Sequence, residues 1–199
     1  MPGVSAQQRS DTGWRRKWGL AGARSTVKRQ NRGMAPGYAG SPEPDAGLET
    51  AAPRQRQAAR VVLLDPDNRV LLMRYDDGPP NGTHWATPGG GLESGETYEQ
   101  AALRELAEET GWTDIELLRE IHHRSHTMEW AGILVHQAER LYLARTDKPA
   151  RQITGVDAMH KSDGIAAWRW WTLDELTTTT DKVWPEVLPD LIRSELGDG

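Results

Sequence analysis

The order of apolar and polar positions divides the chain into two parts. Residues 1–56 show neither the two-residue period of a strand nor the 3.6-residue period of a helix, and they are rich in Gly, Pro, Ser, Arg and Gln. A segment of this kind buries too little apolar surface to offset the entropy lost on ordering. The pattern therefore predicts a disordered tail over 1–56 and one folded domain over 57–199.

Two apolar, β-branched runs open the folded part and predict a hairpin. They cover 59–64 and 69–75, and the turn-forming residues 65–68 separate them. Residues 76–84 are mostly turn formers and predict a loop, which leads into a short strand at Trp85–Thr87.

Helix signals follow this strand closely. Pro88 and the glycines at 89–91 predict a turn, after which Thr97 can cap a helix and Gln100 can complete a capping box. Gly111 stands where a helix commonly ends. We therefore predict one helix between Thr97 and Gly111.

The remainder of the domain alternates strand-like and helix-like segments. We predict, in order, strands at 114–121, 131–137 and 139–145, a polar loop at 146–164, a strand at 165–171, a short helix from Thr172 with its own capping box, and a closing helix at 185–196. Mixed strands with one central and one terminal helix predict an α/β fold, in which the sheet is covered on both faces.

Charge is distributed unevenly between the two parts. The tail holds ten basic and four acidic residues, a formal charge of +6, whereas 57–199 hold 14 basic and 25 acidic residues, a charge of −11. This negative charge argues against a broad nucleic-acid-binding surface on the folded domain. It suits a carboxylate site for a divalent cation. The basic and aromatic cluster at Trp14–Trp18 leaves open a contact of the tail with RNA or an acidic partner.

Other bulk features exclude several classes of protein. The chain has no Cys, so disulfides and thiolate metal sites are excluded, and a reducing cytoplasm is the plain expectation. No apolar run approaches the roughly 20 residues of a membrane span, and no secretory signal is apparent. For the tail, a transit peptide and a translation start at Met34 also remain open.

Three glutamates on the predicted helix are candidate metal ligands. At 100° per residue, Glu105, Glu108 and Glu109 fall within about 100° of arc, where they repel one another unless a cation lies between them. We predict that Arg104 lies to one side of them. An apolar stripe on the opposite face is expected to pack on the sheet: Ala102, Leu103 and Leu106.

Carboxylate oxygens without a nearby His favour a hard cation, so Mg²⁺, or else Mn²⁺, is the expected cofactor. The glycines Gly89, Gly90 and Gly91 let the backbone approach a ligand closely and can direct N–H groups at phosphate oxygens. Helix, cation and phosphate would then form one charge-balanced site.

The stretch 90–112 resembles the Nudix box, G-x5-E-x7-R-E-U-x-E-E-x-G-U, in which U is a bulky apolar residue. All nine specified positions match: Gly90, Glu96, Arg104, Glu105, Leu106, Glu108, Glu109, Gly111 and Trp112. The resemblance implies an α/β/α sandwich with a mixed central sheet over 57–199. It also implies a magnesium-dependent hydrolase, which directs water at one phosphorus of a nucleoside-diphosphate-type substrate.

The resemblance also implies roles for the box residues. Glu105, Glu108 and Glu109 would bind the metal, and Glu96 would pair with Arg104 to brace the loop against the helix. Glu93 could be a further metal ligand or an ordinary solvated loop acid. For the general base, the loop before the last long strand offers three residues, each of which could equally be unremarkable: Asp157, His160 and Asp163.

Aromatic and histidine residues outside the box are candidates for substrate contact. Trp85 and Trp130 could stack on a base. Three histidines are expected at the end of a strand, where exposure to solvent is favoured over substrate contact: His122, His123 and His126.

Substrate choice lies outside the box. Members of the family that hydrolyse ADP-ribose or diadenosine polyphosphates tend to carry a Pro or a Tyr shortly after it. Residues 113–148 contain no Pro, and the first Tyr after the box is Tyr142. A small nucleotide, by default a nucleoside triphosphate in normal or oxidised form, is therefore the expected substrate. An RNA 5′-end pyrophosphohydrolase aided by the basic tail and a non-hydrolytic ligand sensor or isomerase remain as alternatives, and a homodimer is open.

Overall fold

The chain's computed structural model describes residues 52–76, 82–130 and 133–197, so most of the predicted tail lies outside the described residues. Within these ranges the elements in chain order are β1 (Arg54–Leu64), β2 (Val70–Asp76), β3 (Thr83–Ala86), β4 (Gly89–Gly91), α1 (Tyr98–Thr110), β5 (Leu117–Trp130), β6 (Ile133–Arg145), α2 (Asp157–Asp163), β7 (Ile165–Trp171), α3 (Leu173–Thr178), β8 (Val183–Trp184) and α4 (Leu188–Leu196). β1 begins at Arg54, three residues before the predicted domain boundary.

The strands form one mixed sheet in the order β5-β6-β1-β2-β3-β8, with β4 paired to β1 and β7 paired to β2. β1 is its central strand. Along its whole length β1 runs parallel to β6, so that Arg54 pairs with Val135 and Leu64 with Arg145. On its other edge β1 pairs with β2 at Leu64 and with β4 at Ala58, so the sheet divides there into two branches.

Alternate residues of β1 face two separate cores, as the two-residue period of a strand requires. Ala59, Val61 and Leu63 face the core that α1 covers, together with Leu106 of that helix. Val62 and Leu64 face a second core, which α4 covers with two buried side chains: Leu188 and Ile192. The predicted α/β sandwich with a mixed central sheet is confirmed.

Three local predictions are wrong. β5 and β6 are two long strands of 14 and 13 residues where we expected three shorter ones, and α2 occupies part of the predicted loop 146–164. Gly89–Gly91, predicted as a turn, form the strand β4. For β4, β5 and β6, pairing with a neighbouring strand overrides a weak local signal, because strand formation depends strongly on tertiary context.

The hairpin, the strand at 165–171 and the helix that begins after Thr172 lie where they were predicted. No helix among the described residues is long and apolar enough to cross a membrane.

Candidate functional site

The helix α1 is fixed at both ends by the residues that the sequence indicated. The Thr97 hydroxyl accepts a hydrogen bond from the backbone of Gln100, and the Gln100 side chain accepts one from the backbone of Thr97. Gly111 ends the helix in the left-handed conformation, with φ of 75°. Because both ends are defined, the angular positions of the glutamates on α1 are defined as well.

Glu109 is completely buried beneath the sheet. Its carboxylate accepts hydrogen bonds from the Tyr75 hydroxyl at 2.9 Å and from the Gly89 backbone N–H at 3.0 Å. Burial, and after it the charge of Glu109, raises the pKa of Tyr75 well above its usual value. Tyr75 therefore stays protonated and acts as a hydrogen-bond donor to Glu109.

Glu105 lies directly against the backbone of β4. A Cβ atom placed on Gly90 would stand 2.5 Å from the carboxyl carbon of Glu105 and 2.6 Å from its Oε2, distances that real Cβ contacts do not reach. Glu105 is itself buried. The absence of a side chain at position 90 is thus what makes room for this carboxylate.

Arg104 connects the loop before the helix to the carboxylates on it. Its guanidinium donates to both oxygens of Glu96, at 2.6 and 2.9 Å, and to the backbone carbonyl of Gly91 at 2.9 Å. Its Nη1 also donates to Glu105 at 2.9 Å and more distantly to Glu108 at 3.4 Å. The hydrogen bonds from Arg104 lower the pKa of Glu96.

Two predictions about this helix face need correction. Arg104 does not stand to one side, because it lies four residues before Glu108 and contacts it. Glu105 and Glu109 do not lie opposite the apolar stripe either: residues three apart share a helix face, so both are buried beside Ala102 and Leu106. Leu103, predicted to be buried, is 38% exposed.

Glu93 lies in the turn that Glu96 closes. Its backbone N–H donates to Glu96 Oε2 at 2.7 Å, and the Glu96 N–H donates back to the Glu93 carbonyl at 3.1 Å. The Glu93 side chain is exposed. A role for its carboxylate as a metal ligand stays a prediction.

Trp85 is occupied by core packing. Its ring meets Trp171 edge to face at 5.1 Å, its indole N–H donates to Asp181, and it belongs to the core on the α4 side of the sheet. Trp85 is 7% exposed, and its contact with a substrate base stays a prediction. The side chain of Trp130 lies outside the described residues.

The three histidines lie on β5, whereas the three candidate bases lie on α2. His122, His123 and His126 lie inside β5 and not in a loop, and His123 is 83% exposed. His160 of α2 lies against the end of α1, where its Nε2 is 2.5 Å from the carbonyl oxygen of Glu109. The candidate bases Asp157 and Asp163 lie at the two ends of α2.

The donor set around α1 fits a hard divalent cation. Three carboxylates lie on one short helix, and the absence of a side chain at Gly90 allows Glu105 to lie close to the backbone of β4. Among the described residues no three His, Asp or Glu side chains already form a ligand cluster, since Arg104 bridges Glu105 and Glu108. Binding an ion there would require Arg104 to shift from these two carboxylates.

Sequence reasoning missed a second charged cluster on three neighbouring strands. Glu139 of β6 pairs with Arg60 of β1 and Arg124 of β5, and its side chain is completely buried. The sequence held a signal at Arg60, a charged residue inside an apolar run, but none at Glu139, which follows the polar residues His136 and Gln137.

Comparison with known proteins gives both family-level and fold-level similarities. A family model described as the NUDIX domain matches residues 54–191. The RNA pyrophosphohydrolase of Caulobacter vibrioides strain NA1000 / CB15N is 34% identical over 137 residues, which cover 62% of this chain and 75% of that protein. Nudix hydrolase 25 of Arabidopsis thaliana is 29% identical over 136 residues, with the same coverage of each chain.

Two solved structures share the fold at low sequence identity. The MutT protein from Methanosarcina mazei Go1 superposes with a TM-score of 0.53 and 15% identity, over 71% of this chain and 92% of that one. The dihydroneopterin triphosphate pyrophosphohydrolase of E. coli gives a TM-score of 0.53 and 21% identity, over 69% and 92%.

Proposed function

The chain belongs to the Nudix family of hydrolases that act on acid anhydrides, and from this premise we propose that it is a magnesium-dependent pyrophosphohydrolase of RNA 5′-triphosphate ends. Relatives that bear the name RNA pyrophosphohydrolase, among them the Caulobacter protein, favour this substrate over the nucleoside triphosphate expected from the sequence. The basic tail adds to the case, because its charge complements that of a polynucleotide.

The observation that carries the hydrolytic proposal is the intact carboxylate set of α1 beside β4. Glu105 and Glu108 share a bridging cation, the Arg104 guanidinium, and Glu109 is held in place from the sheet by Tyr75 and Gly89. A ligand sensor would have no need of three carboxylates crowded on one short helix, since their mutual repulsion costs stability.

We assign Glu105, Glu108 and Glu109 to holding the metal, and Arg104 with Glu96 to fixing the loop before the helix. Hydrogen bonds from the sheet restrict the rotation of Glu109, so the ligand side chains are pre-oriented. A bound Mg²⁺ would offset the charge of the triphosphate and lower the pKa of an attacking water. Gly90 and Gly91 let the substrate's phosphates approach the backbone of β4.

The proposal is tested with a panel of substrates in the presence of Mg²⁺. We expect a short 5′-triphosphate RNA to be converted to its 5′-monophosphate, with ATP as the small-nucleotide comparison and released phosphate and pyrophosphate as the readout. Faster turnover of ATP at equal concentration would reject RNA as the substrate class and restore the nucleoside triphosphate.

The metal ligands are tested in the same assay with Glu108→Gln. This change removes one charge from a half-buried side chain, so we expect at least a hundredfold loss of kcat with an unchanged circular dichroism spectrum. The matched control is Glu116→Gln, a change of the same size at an exposed position after α1. Near-normal turnover of Glu108→Gln would contradict the assigned metal site.

A further inference from the structure

A buried carboxylate joins two arginines across three strands of the sheet. Glu139 Oε1 accepts from Arg60 Nε at 2.7 Å, while Glu139 Oε2 accepts from Arg124 Nε at 2.6 Å and lies 2.6 Å from Arg124 Nη2. The Glu139 side chain has no solvent exposure, whereas those of Arg60 and Arg124 are 14% and 23% exposed. We call Arg60 and Arg124 the guanidinium pair.

A third arginine, Arg56, lies near the guanidinium pair. Arg56 lies four residues before Arg60, on the same side of β1, and contacts the side chain of Gln137. Burial, and after it the neighbouring Arg60, lowers the pKa of Arg56 to about 10. Three guanidinium groups therefore lie near the buried carboxylate of Glu139, while the carboxylates of Glu105 and Glu109 on α1 also act on Arg56 and Arg60. The N–H donors of the guanidinium pair that Glu139 does not engage suit the oxygens of an anion.

Direct contacts connect the guanidinium pair to the α1 site. Arg60 Nη1 donates to the Thr87 carbonyl at 2.8 Å, two residues before Gly89, whose N–H donates to Glu109. The Arg60 guanidinium also stands 6.0 Å from the centre of the Tyr75 ring. Arg60 thus lies between Glu139 and the residues that fix Glu109.

Arg124 of β5 contacts an aromatic ring on a strand at the far end of the sheet order. Its guanidinium stands 5.5 Å from the centre of the Trp184 ring on β8, although β5 and β8 are the two outer strands in the sheet order. The sheet is therefore curled, and its curvature brings the guanidinium pair to face the branch that carries Tyr75 and Trp184.

We propose that the guanidinium pair binds a phosphoryl group of the substrate and that Glu139 is a positioning residue, which holds both guanidinium groups in the orientation that this binding needs. A guanidinium has five N–H donors, and the contacts above use two on Arg60 and two on Arg124. The planar fork of Arg suits phosphoryl oxygens. This inference rests on the proposed function, because the phosphoryl group belongs to the substrate of the α1 site.

The test measures anion binding without turnover. Adenosine 5′-monophosphate, inorganic pyrophosphate and inorganic phosphate are titrated by calorimetry into the full chain with excess EDTA. We expect Arg124→Gln to weaken binding of at least one of the phosphorylated ligands about tenfold and to reduce the salt dependence of that binding. If adenosine 5′-monophosphate is affected most, the guanidinium pair binds the phosphoryl group that stays on the nucleoside. If pyrophosphate or phosphate is affected most, the pair binds the phosphoryl group that is released.

Arg140→Gln is the matched control, since Arg140 adjoins Glu139 in sequence but lies on the other face of β6, over the Tyr98 ring. It should leave anion affinity unchanged. Arg124→Lys keeps the charge and loses the fork, so its affinity should fall between those of the wild type and Arg124→Gln.

Glu139→Gln separates positioning from simple charge neutralisation. A positioning role predicts weaker anion binding and a raised KM, because the guanidinium groups lose their common anchor. Tighter binding in Glu139→Gln, absence of anion binding by the wild type, or equal affinity of Arg124→Gln and wild type would each overturn the inference. If one of these results occurs while the wild type still hydrolyses its substrate normally, the proposed function stands and only the anion-binding inference is rejected. If the wild type binds anions but hydrolyses no substrate, the proposed function is rejected instead.

Discussion

The carboxylate of Glu105 occupies the space that a side chain at position 90 would fill, so only glycine fits at Gly90. A Cβ on Gly90 would stand 2.5 Å from the carboxyl carbon of Glu105, although the two residues are 15 positions apart. Gly90 does not have a positive φ. The constraint at this position is therefore steric and not conformational, and it ties the sequence of β4 to the position of a carboxylate on α1.

We expect Gly90→Ala to displace Glu105 and lower kcat at least tenfold, with little change in the backbone of β4. Steady-state hydrolysis with Mg²⁺ measures the effect. Gly155→Ala is the contrasting control, because Gly155 has φ of 79° and open space around its Cβ position. That variant should lose about 1 kcal/mol of stability through backbone strain and keep its kcat. An unaltered kcat in Gly90→Ala would show that the position of Glu105 is unimportant.

Tyr75→Phe tests the support of Glu109 from the sheet. Removing the hydroxyl deletes one hydrogen bond to a buried carboxylate, which should cost about 1–3 kcal/mol of unfolding free energy and lower kcat more than it raises KM. Urea unfolding and steady-state kinetics measure the two effects.

The control for Tyr75→Phe is Tyr142→Phe. It deletes the same atom from a buried tyrosine on the same side of the sheet, but that hydroxyl donates to Glu99 at the start of α1. We expect a loss of stability without a loss of kcat. Equal kinetic effects in the two variants would show that Tyr75 has no special connection to the site.

Local signals in the sequence were sufficient for the elements that depend on local chemistry. Both capping boxes, at Thr97 and at Thr172, and the helix end at Gly111 form as predicted, because each involves residues at most four apart. β5 could not be predicted in full, since its polar second half becomes a strand only by pairing with β6. β4 is a second such case, because three glycines carry no strand signal of their own.

The candidate site shows the same division. The pairing of Arg104 with Glu96 was implied only by the resemblance to the Nudix box, whereas the grouping of the acidic residues on α1 could be predicted from their spacing. The burial of Glu109 could not, because it depends on Tyr75, 34 residues earlier in the chain. Glu139 and Arg60 come together across 79 residues, so neither could be assigned a partner from the sequence.

Deletion of residues 1–51 tests the contribution of the basic tail to substrate choice. This boundary keeps β1 intact, since the strand begins at Arg54. If the substrate is RNA and the tail contributes, the truncated chain should bind RNA more weakly, and log affinity should fall less steeply with log salt concentration. Unchanged RNA binding would remove the tail from the proposal, whereas turnover of ATP serves as the control for an intact α1 site.

Glu139→Gln should destabilise the fold in a manner that depends on pH. Burial alone would raise the pKa of Glu139, but the charges of Arg60 and Arg124 and the hydrogen bonds that they donate lower it to about 2, from 4.5 in the unfolded chain. Because the folded pKa is the lower one, this carboxylate stabilises the fold by about 3 kcal/mol above pH 4.5, and the contribution disappears as the pH falls towards 2. The difference in unfolding free energy between wild type and Glu139→Gln, measured with urea, should therefore be largest near neutrality and shrink between pH 4.5 and 2.

Asp114→Asn provides the comparison, since interactions with Arg151 and Lys148 lower the pKa of Asp114 to about 2 as well, but its side chain is 49% exposed. Its loss should be smaller and should vanish with added salt, because solvent screens exposed pairs. A difference for Glu139→Gln that persists unchanged to pH 2 would mean that packing at position 139, and not charge, stabilises the three strands.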